Sequence, residues 1–203
     1  MSEMDSPPPV TPLLTDITPQ QLAHSCRQAG LSFLHGALKG FGPRGLDDWL
    51  DGPYRATLRQ PRVTPLPRTQ RLAGLAGALV RLVRTAVIDN VRGMAGGDWG
   101  PVVDAMRVGA ILPARTPAGE LVWTPVDDAQ LRLDHRVRAL FVCDYLVDAD
   151  AYEELLNICV ACYHMDFDGS GRACTRCVPE SRVSVVRSRG VFGANVAAKK
   201  AVR

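Results

Sequence analysis

The apolar positions of this chain recur mostly at three- and four-residue spacing, the period of an amphipathic helix rather than of a strand. The clearest case begins at Thr18, whose hydroxyl suits an N-cap. Pro19 suits the first helical position, and Gln21 stands at the third, where it closes a capping box. Leu22, Cys26, Ala29, Phe33 and Ala37 follow in register, with Leu34 and Leu38 beside them. They predict a helix to about residue 38, stopped by Gly40 and Gly42. A shorter helix is predicted over 45–58, with Leu46, Trp49, Leu50, Tyr54 and Leu58 on its buried side and Gly52-Pro53 kinking or dividing it. Three prolines between Pro61 and Pro67 mark an extended connector. After it, Leu72, Leu75, Ala76, Leu79, Val80, Leu82, Val83, Ala86, Val87 and Val91 form the widest apolar face in the chain, expected at the centre of the core. Arg71, Arg81, Arg84 and Arg92 are expected at its margins or in solvent.

Gly96-Gly97-Asp98-Trp99-Gly100-Pro101 ends that helix and opens another over about 101–109. Ile111 to Arg115 and Glu120 to Thr124 read as a hairpin joined by Thr116-Pro117-Ala118-Gly119, with Pro113 confining the first strand to an edge. Asp127 and Asp128 stand where they can cap a helix carrying Leu131, Leu133 and Val137. It runs into the dense apolar stretch 140–147, which reads as helical although a buried strand has the same look. Asp150 and Glu153 repeat the capping-box pattern and predict a last helix over about 151–158.

Composition changes this picture little. With 46% hydrophobic, 22% charged and 6% aromatic residues, the 203-residue chain suits one folded domain with an aliphatic core and a small appendage. No apolar run approaches the ~18 residues that span a bilayer, so no membrane partner is expected. The opening residues, Met1 to Pro9, have neither the basic region nor the apolar stretch of a secretory signal. The expected setting is therefore a reducing compartment, cytoplasmic or, in a eukaryote, nuclear, where six cysteines point to metal rather than disulfides. Cys26 and Cys143 stand alone in apolar surroundings and read as small buried hydrophobes.

Charge is uneven. Residues 51–95 hold eight Arg against two Asp, 96–156 five Arg against eleven acids, and 157–203 eight Lys plus Arg against three acids. Acidic and basic segments that need not satisfy each other within one chain favour a protein partner or a homo-oligomer.

The strongest chemical signal is Cys159-Val160-Ala161-Cys162 followed, after eleven residues, by Cys174-Thr175-Arg176-Cys177. Each Cys-x-x-Cys turn offers two sulfurs to one ion, and two turns complete a tetrahedron, so one structural zinc ion is the expected cofactor. Arg172 and Arg176 would offset the charge of four thiolates. Over about 20 residues the motif resembles the zinc-ribbon and knuckle class broadly, which implies metal-stabilised structure and no particular activity. His164, two residues past Cys162, is an alternate ligand, though four cysteines are the simpler set. For His24, His35 and His135 a surface or satisfied core position is expected. Between the turns, Asp166-Phe167-Asp168-Gly169-Ser170-Gly171 looks like the first half of an EF-hand calcium loop. Its second half departs from the pattern, with Ala173 at the eighth position and Cys177 where a bidentate Glu belongs. A polar, Gly-rich turn between two knuckles explains the same residues.

The expected fold is thus mainly α: a disordered arm over 1–17, a helical domain with one short hairpin over 18–150, a zinc-ribbon or knuckle module over 151–181, and a basic tail over 182–203. Three function classes follow. A non-enzymatic regulatory or adaptor protein fits the polarised charge and the want of a catalytic constellation. A nucleic-acid-binding regulator is the alternative. Arg172, Arg176, Arg182, Arg187 and Arg189, with Lys199 and Lys200, are its candidate phosphate contacts, and a helix followed by a hairpin is a fold-level analogy to a winged helix. That helix offers only Asp104 and Arg107 as charged groups, and no aromatics interleave the basic tail. An enzyme is the third class. It lacks support from any nucleophile elbow, phosphate loop or zinc-protease motif, and four cysteines would leave zinc no open position. The acids Asp144, Asp148, Asp150, Glu153 and Glu154 read as caps and a solvated helix face.

Overall fold

A computed structural model describes residues 17–41, 44–58, 77–126, 128, 130–169 and 174, with only the backbone of 77–79. The fold is mainly helical. Helix α1 (Pro19–Lys39) starts as its sequence predicts: the Thr18 amide donates to Gln21 Oε1 at 2.9 Å and the Gln21 amide to Thr18 Oγ1 at 3.2 Å, a complete capping box. Gly40, at φ 76°, ends it. The second predicted helix is divided into α2 (Gly45–Trp49), a π-helical turn (Leu50–Tyr54) and α3 (Arg55–Thr57). Pro53 has no N–H to give to the ladder, and the Arg55 amide reaches the carbonyls of Leu50 and Gly52 instead, which widens the turn. The π turn places Tyr54 where its hydroxyl donates to the Val126 carbonyl at 2.9 Å, while Trp49 Nε1 donates to the Ala29 carbonyl of α1. The connector predicted over 61–67 lies outside the described residues.

Helix α4 (Gly77–Ala95) and the short α5 (Gly100–Arg107) precede the hairpin, whose strands β1 (Ile111–Arg115) and β2 (Leu121–Pro125) pair antiparallel with Ile111 opposite Pro125 and Arg115 opposite Leu121. The stretch 140–147 resolves in favour of helix: α6 (Leu133–Tyr145) carries most of it. The last predicted helix is shifted. α7 (Ala149–Glu154) begins two residues early and ends four short, and Asp148, not Asp150, precedes it without a side-chain cap. The chain then reaches Cys159 through β3 (Asn157–Ile158), which pairs antiparallel with β4 (Met165–Asp166).

The centre of the core is α6, not α4 as its apolar width suggests. α4 leaves Leu82 exposed on its outer face, whereas α6 buries eleven of its thirteen residues. Helices α1, α4, α5, α7 and strand β2 all pack against it. At the crossing with α1 the backbones come close because Gly30 has no side chain: a Cβ there would stand 2.6 Å from Phe141 Cζ. Tyr152, Leu156, Ile158 and Met165, from the segment leading into and out of the Cys159 turn, belong to the same apolar cluster as α1 and α4.

Asp144 is the largest departure from the sequence reading. Expected as a cap or on a solvated face, it is fully buried. Arg27 of α1 donates to it twice, from Nε to Oδ2 at 2.8 Å and from Nη2 to Oδ1 at 3.1 Å, and reaches Asp148 at 2.6 Å. The Tyr152 hydroxyl stands 2.7 Å from Asp144 Oδ2 and 2.9 Å from the Phe141 carbonyl, with one proton to share. Burial pushes the Asp144 carboxyl above the usual carboxylate range, Arg27 and Tyr152 pull it back, and Asp148 adds to the rise.

Three stability outcomes are expected. Arg27→Met leaves Asp144 buried without its cation and lowers unfolding free energy in urea by about 3–5 kcal/mol. Arg107→Met, which breaks an exposed pair with Asp104, costs less than about 1 kcal/mol. Gly30→Val forces Phe141 out of place, and a midpoint loss equivalent to at least ~1–3 kcal/mol is expected in the same assay. A wild-type midpoint for either core variant would contradict the packing described.

Candidate metal centre

The segment that carries the first cysteine pair is a tight β-turn device seated on the body. β3 delivers Cys159, whose amide donates to the His164 carbonyl at 2.9 Å, while the Tyr163 amide returns to the Cys159 carbonyl at 2.8 Å. Closing the loop this tightly puts Tyr163 at φ 55°, the one non-glycine residue in the left-handed region among those described. Ile158 and Met165, opposite each other in the β3–β4 pairing, both face the core.

The turn and Cys174 bring three sulfurs together. Those of Cys159, Cys162 and Cys174 all lie within 4.8 Å of one another, Cys162 and Cys174 at 3.6 Å. Sulfurs bound to one tetrahedral zinc at ~2.3 Å stand ~3.8 Å apart, so the spacing fits shared coordination, and it is far beyond the ~2.05 Å of a disulfide. Cys159 is buried and the other two are half-buried. These three cysteines can hold a metal ion. The fourth predicted ligand, Cys177, lies outside the described residues, as do Arg172, Arg176, Arg182, Arg187 and Arg189.

His164, the alternate ligand, is not one of these three close donors. Its ring stacks on His35 of α1 with centroids 4.6 Å apart, and its Nε2 stands 3.8 Å from an Asp166 oxygen. His35 Nε2 lies 3.0 Å from the Met165 carbonyl, so His35, expected as a bland surface or core histidine, ties α1 to β4. The acids of the calcium-like stretch are also engaged. Asp168 accepts from Asn157 Nδ2 at 2.6 Å across the β3–β4 pair. Asp166 is pushed above the usual carboxylate range, by burial first and by the neighbouring Asp168 next. Gly169, at φ 62°, donates to the Leu155 carbonyl and closes the segment back on the end of α7.

Sequence reasoning missed Arg84. Expected in solvent or at the margin of α4, it is buried, and its guanidinium donates to the carbonyl oxygens of Leu34 (3.2 Å), Cys162 (3.2 Å) and Tyr163. The signal was present: Val80, Arg84, Val87 and Val91 share one four-three-four stripe, so Arg84 occupies a core position. Cys26 and Cys143 are both buried, as expected of small hydrophobes. Burial, then hydrogen bonding with Cys26, pushes the Cys143 thiol well above its ordinary range, which keeps it protonated and unlike a ligand.

No known family, curated protein or solved structure matches this chain. The chemistry of the site therefore stands on the geometry alone. With Co2+ as a spectroscopic probe, Cys159→Ser, Cys162→Ser and Cys174→Ser should each lose or strongly weaken the thiolate-to-cobalt absorption. Cys143→Ser should retain it even where the buried hydroxyl lowers stability. An unchanged spectrum in the first three would exclude the site.

Proposed function

We propose that this is a non-enzymatic regulatory or adaptor protein, in which a helical body binds a protein partner and a single zinc ion has a structural role in the C-terminal knuckle. What carries the partner-binding part is one face of α5. Trp99, Val103 and Met106 follow at four- and three-residue spacing and are 56%, 59% and 38% exposed, while Val102 and Ala105 on the opposite side are buried. An apolar stripe of this kind, led by an aromatic residue, is the usual anchor of a protein contact. Asp104 and Arg107, the two charged residues of this helix, pair with each other at 2.7 Å, and Asp104 also meets Arg138. Charges paired in this way suit the rim of a protein contact better than a phosphate backbone.

The structural role of the metal rests on the donor set. With Cys177 joining Cys159, Cys162 and Cys174, four thiolates fill the tetrahedron and leave no position for substrate. Zinc is the ion that best fits soft sulfur donors in that geometry. A reducing compartment goes with this reading, since the thiolates must persist. No helix among the described residues is long and apolar enough to cross a membrane.

Native mass spectrometry of protein purified without added metal is expected to show one zinc per chain, lost on denaturation. Val103→Glu with Met106→Glu is expected to abolish self-association or capture of a partner without shifting the unfolding midpoint by more than ~0.5 kcal/mol, the usual range for surface changes. Identical association in the double variant and the parent would remove the α5 face from the proposal.

A further inference from the structure

A buried guanidinium that donates to backbone carbonyls on two separate elements does more than neutralise itself: it fixes their relative position. The Leu34 carbonyl belongs to α1, and those of Cys162 and Tyr163 belong to the turn that presents two of the three clustered sulfurs. The Cys162 carbonyl is the ligand residue's own, so the hydrogen bond limits how its backbone, and hence its sulfur, can turn. Tyr163 follows in a left-handed conformation that non-glycine residues adopt only when their surroundings hold them there. Arg84 is one such hold. The His35 ring, against both His164 and the Met165 carbonyl, is another. Behind the turn, Ile158 and Met165 are core residues, so undocking it would expose apolar surface.

We propose that Arg84 is a positioning residue of the metal centre, so that metal binding and the docking of residues 155–169 on the α1–α4 face form one linked equilibrium. The inference rests on the metal-binding reading of the three sulfurs. Its physical content is reciprocity: whatever the metal contributes to holding the turn on the body, docking contributes equally to metal affinity. Arg84 also carries a positive charge beside the turn, where three thiolates around a divalent ion leave a net charge of about −1. Loss of metal then has a defined consequence, the release of residues 155–169 from the α1–α4 face.

The test is a Co2+ titration of the full chain against a chromophoric chelator. Arg84→Gln should weaken Co2+ binding by about 10–100-fold, the range for removal of an outer-shell partner. Arg84→Lys, which keeps the charge but not the fork, should recover part of that loss. Arg136→Gln supplies the control. Arg136 is also buried and donates to carbonyls, those of Leu131 and Asp128, so this variant should lose stability but not Co2+ affinity. Wild-type affinity in Arg84→Gln, or equal weakening in Arg136→Gln, overturns the inference while the metal reading stands. No thiolate-to-cobalt band in the parent protein overturns both. Amide exchange of the wild type keeps the question open to refutation if Arg84→Gln does not fold. Zn2+ should slow exchange through 157–167 and in α4 near Arg84, and protection confined to 159–164 would sink the linkage.

Discussion

A carboxylate without access to water must be satisfied by the chain itself, and in this fold the demands of Asp144 decide which elements meet. Removing such a group from water costs several kcal/mol, offset only when its lone pairs find donors in good geometry. Those donors come from different elements: the Arg27 fork from α1 and the Tyr152 hydroxyl from α7. The network continues outward. Phe167 lies under the Arg27 guanidinium at 4.6 Å and packs edge-on to Tyr152 at 4.9 Å, and it directly follows β4. A purely apolar contact at this position could slide by a turn of helix without much penalty. A bidentate ion pair cannot, which makes Asp144 a register device for α1, α6 and α7 together.

Arg84 repeats the solution with the signs arranged differently. Here the buried group is the cation, and the partners are carbonyl oxygens rather than a carboxylate. Carbonyl groups in a tight turn have limited means of pairing with other backbone, and the Leu34 carbonyl inside α1 has a second lone pair to offer, so a rigid fork of donors can join the two. The two arginines thus act at different points along the same segment. Arg27 seats its beginning and end through Tyr152 and Phe167, and Arg84 seats its middle through Cys162 and Tyr163. The segment that carries the cysteine turn is consequently held at several points by groups that belong to the helical body.

The legible part of this architecture was the part governed by local rules. The capping box at Thr18, the glycine stop at Gly40, the hairpin around Gly119 and the helical reading of 140–147 all depend on neighbours within a few residues. The illegible part depends on pairs far apart in sequence. Arg27 and Asp144 are separated by 117 residues and Arg84 and Cys162 by 78, and nothing local distinguishes a charged residue that is buried with a partner from one in solvent. One clue was available: both Asp144 and Arg84 fall within apolar stripes, 137–140–144 and 80–84–87, where a solvated charge does not belong. A charge in a core register predicts a buried partner. For the candidate metal site, sequence spacing named the cysteines, while the tertiary contacts around three of them, including the stacking of His164 on His35, lay beyond it.

These contacts bear on what the knuckle can do. A catalytic metal needs mobility or vacancy in at least one position, and its surroundings must admit a substrate. Here the turn between Cys159 and His164 gives its carbonyls to Arg84, the neighbouring Met165 carbonyl to His35, and the apolar side chains of its strands to the core. Each of those interactions lowers the freedom of the sulfurs and makes the turn a continuation of the fold. The exposed apolar residues of α5 stand on a different element, one that packs on α4, α6 and β1 and has no part in the turn. The cysteine turn and the exposed apolar face thus stand on separate surfaces, linked through α4 and α6. Among the described residues, α4 and α6 are the helices that lie between the two, and their buried positions leave little slack to absorb a displacement.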